Sequence, residues 1–442
     1  MKTAKTKFSR TLILLLALIT LFSSLSLTSC DGGTDVIHSK EKLSENVASD
    51  SYIGYDYVWK YLDRWDFPTF NSTKIKNAEY LIKRYFYKEL PDSRVLANTT
   101  ATAFLENYYD KIDLNSQEAV TDALLKCYVA SLGDKWAAYR TPQEYDSYDS
   151  SMSGTMVGIG VSVSEHESGG GLYVNNPLAG SPAEAAGIKS GDIIVAIDDT
   201  RVENKDFDEA VSLIGGEVGT KVKITVLRGE GEIEFEVTRA MIDEISVFYL
   251  IDGDVGYIRI SNFKRNTDEQ FKEAVDHMKE NGINKVIYDL RANLGGYLST
   301  VIEMLEYLSP KGVTLASFSD GSDPAIDDTD DKYLPTAVIL TDYNTASASE
   351  LFTAAVCDLS DMGFGKAITV GETTRGKGVM QFTYSLGDGS SITFTAAYYN
   401  SPTGQNFHEK GIEPDVKVSL DGETDTQLAA ALSELEKLAT QN

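Results

Sequence analysis

The sequence predicts a multidomain α/β protein: a helical N-terminal region, a small β-rich module, then a larger core in which helices and strands alternate. Three observations predict it. At 442 residues the chain is longer than one compact domain usually is. Apolar residues recur every three or four positions as far as about Tyr148, and every two from Thr155. Beyond Ile245, strand-like runs alternate with amphipathic helical stretches.

Composition narrows the class. With 42% hydrophobic and 24% charged residues the chain is globular rather than disordered or fibrous. Its formal charge, 40 − 67 = −27, argues against a nucleic-acid partner, because phosphate binding needs a concentrated basic face. It also disfavours adhesion to anionic lipid by charge.

Residues 1–29 read as a leader: a basic start ("MKTAKTKFSR"), an apolar run ("TLILLLALITLF") too short to span a membrane comfortably, and a small-residue cleavage region. Leu27-Thr28-Ser29-Cys30 looks like a bacterial lipobox, which makes Cys30 the expected lipidation site and residues 30–51 a polar tether. A plain secretory signal with a chance cysteine is the alternative. Residues 52–150 form the helical region, carried by "KIKNAEYLIKRYFYKEL" and "SQEAVTDALLKCYVASL". Cys127 and Cys357 fall in helical stretches and read as free buried thiols rather than a disulfide. No metal-ligand cluster forms around them or around the four scattered histidines.

Residues 151–240 are the β-rich module: strand-like runs such as "DIIVAID" and "KVKITVLR" separated by glycine turns, with two short helices. "GIGV", Gly158-Ile159-Gly160-Val161, could be a glycine-rich hairpin turn or a backbone nest for a carboxylate beside an open strand edge. Residues 241–420 are the core and 421–442 a C-terminal helix. Within the core, the acidic stretch Asp320–Asp331 lacks the ordered ligand spacing of a calcium loop and reads as a solvated surface loop.

Three core stretches carry chemistry. In "NTASASE" an apolar run ends in small residues and enters a helix, with hydroxyls at Thr345, Ser347 and Ser349. Such a turn can present a nucleophile beside free helix N–H groups, or simply cap the helix. "DLRANLGG" (289–296) is a strand-end glycine turn, and "GETTRGKGVMQ" (371–381) sets Lys377 between glycines after a strand.

"GSPAEAAGIKSGDIIVAIDDTRV" (180–202) resembles a PDZ domain, and with it "GIGV" resembles that family's carboxylate-binding loop. The three core stretches together resemble the motifs of bacterial carboxyl-terminal processing proteases, serine endopeptidases with a PDZ domain and a Ser–Lys dyad. The resemblance runs from about Ser131 to Val416 and implies a crotonase/ClpP-like protease core. It implies Ser347 as nucleophile, Lys377 as base and Gln381 as the residue orienting the lysine amine. It also implies an oxyanion hole from the Ala348 N–H with that of Gly295 or Gly296. No metal or organic cofactor is implied. The expected partners are protein or peptide substrates with recognised C-termini, and a membrane reached through lipid on Cys30 in the cell envelope. Three departures stand out: Thr345 opens the serine motif, Leu294 replaces a frequent proline, and "SDMGF" (360–364) lengthens the segment before the lysine. The competing function is a non-catalytic PDZ-containing lipoprotein that binds peptides.

A lysine normally titrates near 10.4, so serving as base at neutral pH takes about three units, or about 4 kcal/mol against the ammonium form. Burial in an apolar cleft can supply that.

Overall fold

The computed structural model describes residues 40–50, 55–166, 171–178, 180–203, 205–330, 332–420 and 424–440. The leader and Cys30 lie outside the described residues. No helix among the described residues is long and apolar enough to cross a membrane.

The chain divides into two units, residues 1–146 with 381–397, and residues 147–380 with 398–442. The first unit holds α1 (Lys40–Ser49), α2 (Val58–Arg64), α3 (Ser72–Tyr85), α4 (Ser93–Asn107), α5 (Gln117–Ser131) and β1 (Ala138–Arg140). Asn71, Asp92 and Ser116 each accept a backbone N–H from the first turn of the helix that follows, which fixes where α3, α4 and α5 begin. Their apolar faces meet in one core that includes Trp65, Phe104, Leu124 and Tyr128.

Two sequence expectations change here. The polar tether does not extend to residue 51 as irregular chain: α1 is helical, and Leu43 is 1% exposed in this core. A single buried leucine in a polar helix leaves almost no periodic signal. The core assigned to 241–420 is also interrupted, because residues 381–397 cluster with the helical unit. There β1 pairs antiparallel with 391–393 of β18 (Ser391–Asn400), while Ile392 and Phe394 join the helical core.

The second unit begins within α6 (Pro142–Met152) and carries the β-rich module on a two-stranded stalk, β2 (Thr155–Gly158) against β9 (Ala240–Asp243). Its antiparallel sheet runs in the order β3 (Val161–Glu165), β4 (Leu172–Pro177), β5 (Ile193–Ile197), β7 (Lys221–Arg228), β8 (Gly231–Thr238), with β6 (Thr200–Arg201) beside β5. Helices α7 (Pro182–Ala186) and α8 (Phe207–Ile214) complete it, and Ala183, Ala210 and Ile214 enter its core with Val174, Ile194 and Val226.

A bidentate pair ties this module together. Arg228 donates from Nε to Asp192 Oδ1 and from Nη2 to Oδ2, both at 2.7 Å, and the carboxylate is 1% exposed. Burial pushes the Asp192 carboxyl up, but the Arg228 bonds and the Lys189 N–H outweigh it and hold the group below its ordinary value. The pair's contribution is therefore complete above the unfolded carboxylate value near 4 and is lost as the pH falls through the depressed folded value. Arg228→Ala is expected to lower the stability of the module by about 3 kcal/mol, read by urea unfolding at pH 7, and to flatten the acid limb of its stability profile.

The core sheet of this unit runs β10 (Val247–Asp252), β11 (Val255–Ile260), β12 (Lys285–Asp289), β15 (Thr336–Thr341), β16 (Lys366–Gly371), β19 (Val416–Lys417). The first pair is antiparallel and the others are parallel. Continuous apolar runs such as Ala337–Leu340 suit strands buried on both faces. One face meets α9 (Thr267–Glu280), α10 (Leu298–Glu306) and α11 (Ala348–Asp361) through Phe271, Met304 and Phe352. The other meets α12 (Thr426–Thr440) through Ala431 and Leu435.

The acidic stretch 320–331 is not wholly a solvated loop. It contains β14 (Ala325–Ile326), paired with β13 (Thr314–Phe318), and Asp327 is 1% exposed. Asp327 accepts from Ser309 Oγ, the Thr329 N–H and Thr329 Oγ1, so one of those carboxylates folds the stretch instead of facing water. Cys127 and Cys357 are free, and burial pushes both thiols up to about 12, which leaves them unreactive.

Candidate active site

The site lies at the carboxyl ends of the parallel strands, where open α/β sheets place their ligands. β15 ends at Thr341, the chain turns over residues 342–346, and α11 starts at Ala348. Asp342 shapes the turn: its Oδ1 accepts the N–H groups of Ala292, Asn344 and Thr345 at 2.9–3.0 Å. This aspartate was not singled out in the sequence, although an Asx turn before a helix is its usual signal.

The three hydroxyls of the turn are not equivalent. Thr345 Oγ1 donates to the Leu290 carbonyl and Ser349 Oγ to the Asn293 carbonyl, each at 2.9 Å, and both residues are fully buried. Ser347 is different. Its backbone sits at φ 60°, ψ −120°, outside the ordinary regions for a side-chain-bearing residue. Its side chain stands at the helix N-terminus, where the first N–H groups, Ala348 among them, have no partner within the helix. A strained serine between a parallel strand and a helix is the geometry of a nucleophile elbow.

Glu350 holds that strain. It is fully buried, and its two oxygens take four donors. Oε2 accepts the Ser347 N–H at 2.8 Å and the Lys377 N–H at 2.7 Å. Oε1 accepts Thr374 Oγ1 at 2.5 Å and the Gly376 N–H at 2.7 Å. One carboxylate thus binds the serine turn to the lysine segment, although 27 residues separate Glu350 from Lys377. The sequence analysis did not single out Glu350, whose one local signal is the Ser-x-x-Glu spacing of a capping box.

Lys377 lies in the irregular segment between β16 and β17 (Val379–Ser385) and is half-buried. Its carbonyl accepts the Tyr399 hydroxyl at 2.6 Å. Gly376, at φ 82°, must be glycine: an added Cβ would stand 2.7 Å from the Gly411 nitrogen. Gln381 is a half-buried residue of β17 and falls in the segment 381–397.

The glycine turn packs against the serine. A Cβ added to Gly295, at φ 101°, would lie 2.8 Å from Ser347 Cβ and 3.0 Å from the Ala348 nitrogen. The Gly295 N–H itself donates to Asn293 Oδ1 at 2.9 Å. Gly296 bridges in parallel to Phe263, and a Cβ there would lie 2.1 Å from the Phe263 oxygen.

In the β-rich module, Ile159 is buried and its carbonyl accepts the Ala183 N–H at 2.8 Å, which fastens the "GIGV" loop to α7. Gly160, at φ 71°, leads into β3, an edge strand that among the described residues pairs with β4 alone. Such an edge can take an added peptide strand. Among the described residues, no group of three or more His, Cys, Asp or Glu side chains could hold a metal ion.

Comparison with known proteins agrees with this layout. Residues 157–238 match the model of the PDZ domain and residues 254–418 that of peptidase family S41. A "Probable CtpA-like serine protease" of Staphylococcus aureus strain COL is 34% identical over 317 residues, which are 71% of this chain and 62% of that protein. One of the same description from Staphylococcus epidermidis is 34% identical over 319 residues, 71% of this chain and 63% of that protein. The matched region thus spans less than two thirds of these relatives. Among solved structures, the photosystem II D1 C-terminal processing protease aligns over 84% of this chain and 98% of its own, at 24% identity and a TM-score of 0.45. By its matched domains and its curated relatives, this chain belongs to peptidase family S41 and carries a PDZ domain.

Proposed function

We propose that this chain is a serine endopeptidase, tethered to a membrane outside the cytoplasm, that selects proteins by C-terminal residues held in its PDZ groove. The observation that carries the reading is the pairing of a strained, elbow-borne Ser347 with the Lys377 segment through buried Glu350.

In this mechanism Ser347 Oγ attacks a peptide carbonyl and passes its proton to neutral Lys377 Nζ. The tetrahedral oxyanion rests on the Ala348 N–H and a second N–H from Gly295 or Gly296. Gly295 can serve only after its N–H leaves Asn293 Oδ1, so the 293–296 turn must adjust during turnover. Collapse releases the amine with a proton from Lys377. Water, with the lysine again as base, hydrolyses the acyl-enzyme. Gln381 is assigned the steadying of the lysine amine by resemblance. The purified mature chain should cleave a quenched fluorogenic peptide that ends in a free apolar residue. Absence of cleavage, with the same peptide still bound, would favour a non-catalytic PDZ lipoprotein.

The anchor is the lipobox cysteine. Cys30→Ser is expected to abolish incorporation of labelled fatty acid and release the protein from membranes, while peptidase activity per mole is retained. Unchanged labelling in that variant contradicts the anchor.

A further inference from the structure

The geometry points to Tyr399 as a positioning residue for Lys377: its buried phenol anchors the main chain from which the lysine side chain departs. The inference rests on the Ser347–Lys377 reading and adds a third side chain to it.

Tyr399 lies in β18 opposite Phe318, fully buried, with its ring edge-on to Phe407 at 5.6 Å. Its hydroxyl donates to the Lys377 carbonyl at 2.6 Å, which commits the phenol's one proton. Burial, then the Glu350 charge, push the phenol well above its ordinary value, so Tyr399 stays a neutral donor.

The surroundings leave the phenol little freedom. Asn406 Nδ2 donates to the Tyr399 carbonyl at 2.6 Å and to the Gly378 carbonyl at 3.0 Å, so the residues flanking the contact are tied together. The lysine stem leaves from the Cα next to the carbonyl that Tyr399 holds, so the phenol helps set where the amine stands and how deeply it is buried. Burial and neighbours determine how easily that amine loses its proton.

Tyr399→Phe tests this, because it keeps the ring and its contact with Phe407 and removes only the hydroxyl. With a quenched fluorogenic peptide ending in valine, kcat is expected to fall about 10- to 100-fold with KM little changed. The acid limb of the kcat–pH profile should move, which a merely structural loss would not cause. Site-specific 3,5-difluorotyrosine at position 399 is nearly isosteric and retains the hydroxyl; it should move the limb as well, and it serves if the phenylalanine variant does not fold. An unmoved limb with wild-type kcat in either folded variant overturns the role of Tyr399 and leaves the peptidase reading intact. A folded wild type that does not cleave, or a Ser347→Ala chain that cleaves normally, overturns both.

Discussion

Ser347→Ala is expected to abolish peptide hydrolysis, with kcat falling by roughly 10³- to 10⁶-fold, while the melting temperature hardly changes. In the proposed mechanism the hydroxyl oxygen is the reacting atom, and the elbow is held by bonds to the Ser347 main chain, which alanine keeps. Lys377→Ala and Lys377→Arg should fail to a similar degree. The arginine retains charge and length, yet a guanidinium does not lose its proton near neutral pH and cannot serve as base. Thr345→Ala and Ser349→Ala should differ in kind. Their hydroxyls bond the Leu290 and Asn293 carbonyls, so their loss is expected in thermal stability more than in kcat. Steady-state hydrolysis and thermal melts on the five variants check this. Substantial turnover by folded Ser347→Ala moves the nucleophile to one of the other two hydroxyls.

Glu350→Gln is expected to show the second-largest effect, on stability and catalysis together. Each carboxylate oxygen receives two donors, so an amide NH₂ would face two of them in either orientation. Each buried donor left without an acceptor costs about 1–3 kcal/mol, and two such losses are a large part of a typical folding free energy. The strained φ of Ser347 also loses its main restraint. A shift of about 1 Å between serine and lysine is enough for a loss of roughly 100-fold in kcat. Urea unfolding and kcat on one preparation test both parts. A variant as stable and as active as wild type would mean that Glu350 does not join the serine to the lysine segment.

Much of the architecture was legible because it rests on local pattern. The change of period near Thr155 and the alternation beyond Ile245 are repeats set by side-chain direction, and the strands and helices follow them. What escaped depends on partners distant in sequence. The segment 381–397 reads as part of the core because it continues directly from the lysine loop. Only the packing of Ile392 and Phe394 shows where it clusters. Asp327 reads as one acid among many until Ser309 and Thr329 are seen to converge on it.

The site divides in the same way. Thr345, Ser347 and Ser349 are interchangeable as letters, and resemblance alone singled out the middle one. In the fold the distinction is physical: two hydroxyls are committed to carbonyls and the third is carried on strained backbone. Glu350 looks like an ordinary capping glutamate because its two additional N–H partners lie 26 and 27 residues away. Tyr399 is one aromatic in a strand, and nothing local marks it for Lys377.

In the proposed mechanism Ser347 forms the covalent intermediate. The most direct test is rapid acid quench of the mature chain with a peptide ester, followed by digestion and mass spectrometry of the segment around residues 341–361. A substrate-derived acyl group is expected on Ser347, absent in Ser347→Ala and slow to accumulate in Lys377→Ala. An acyl group on Thr345 or Ser349, or full turnover of the ester with every hydroxyl of that segment unmodified throughout the burst, would contradict it.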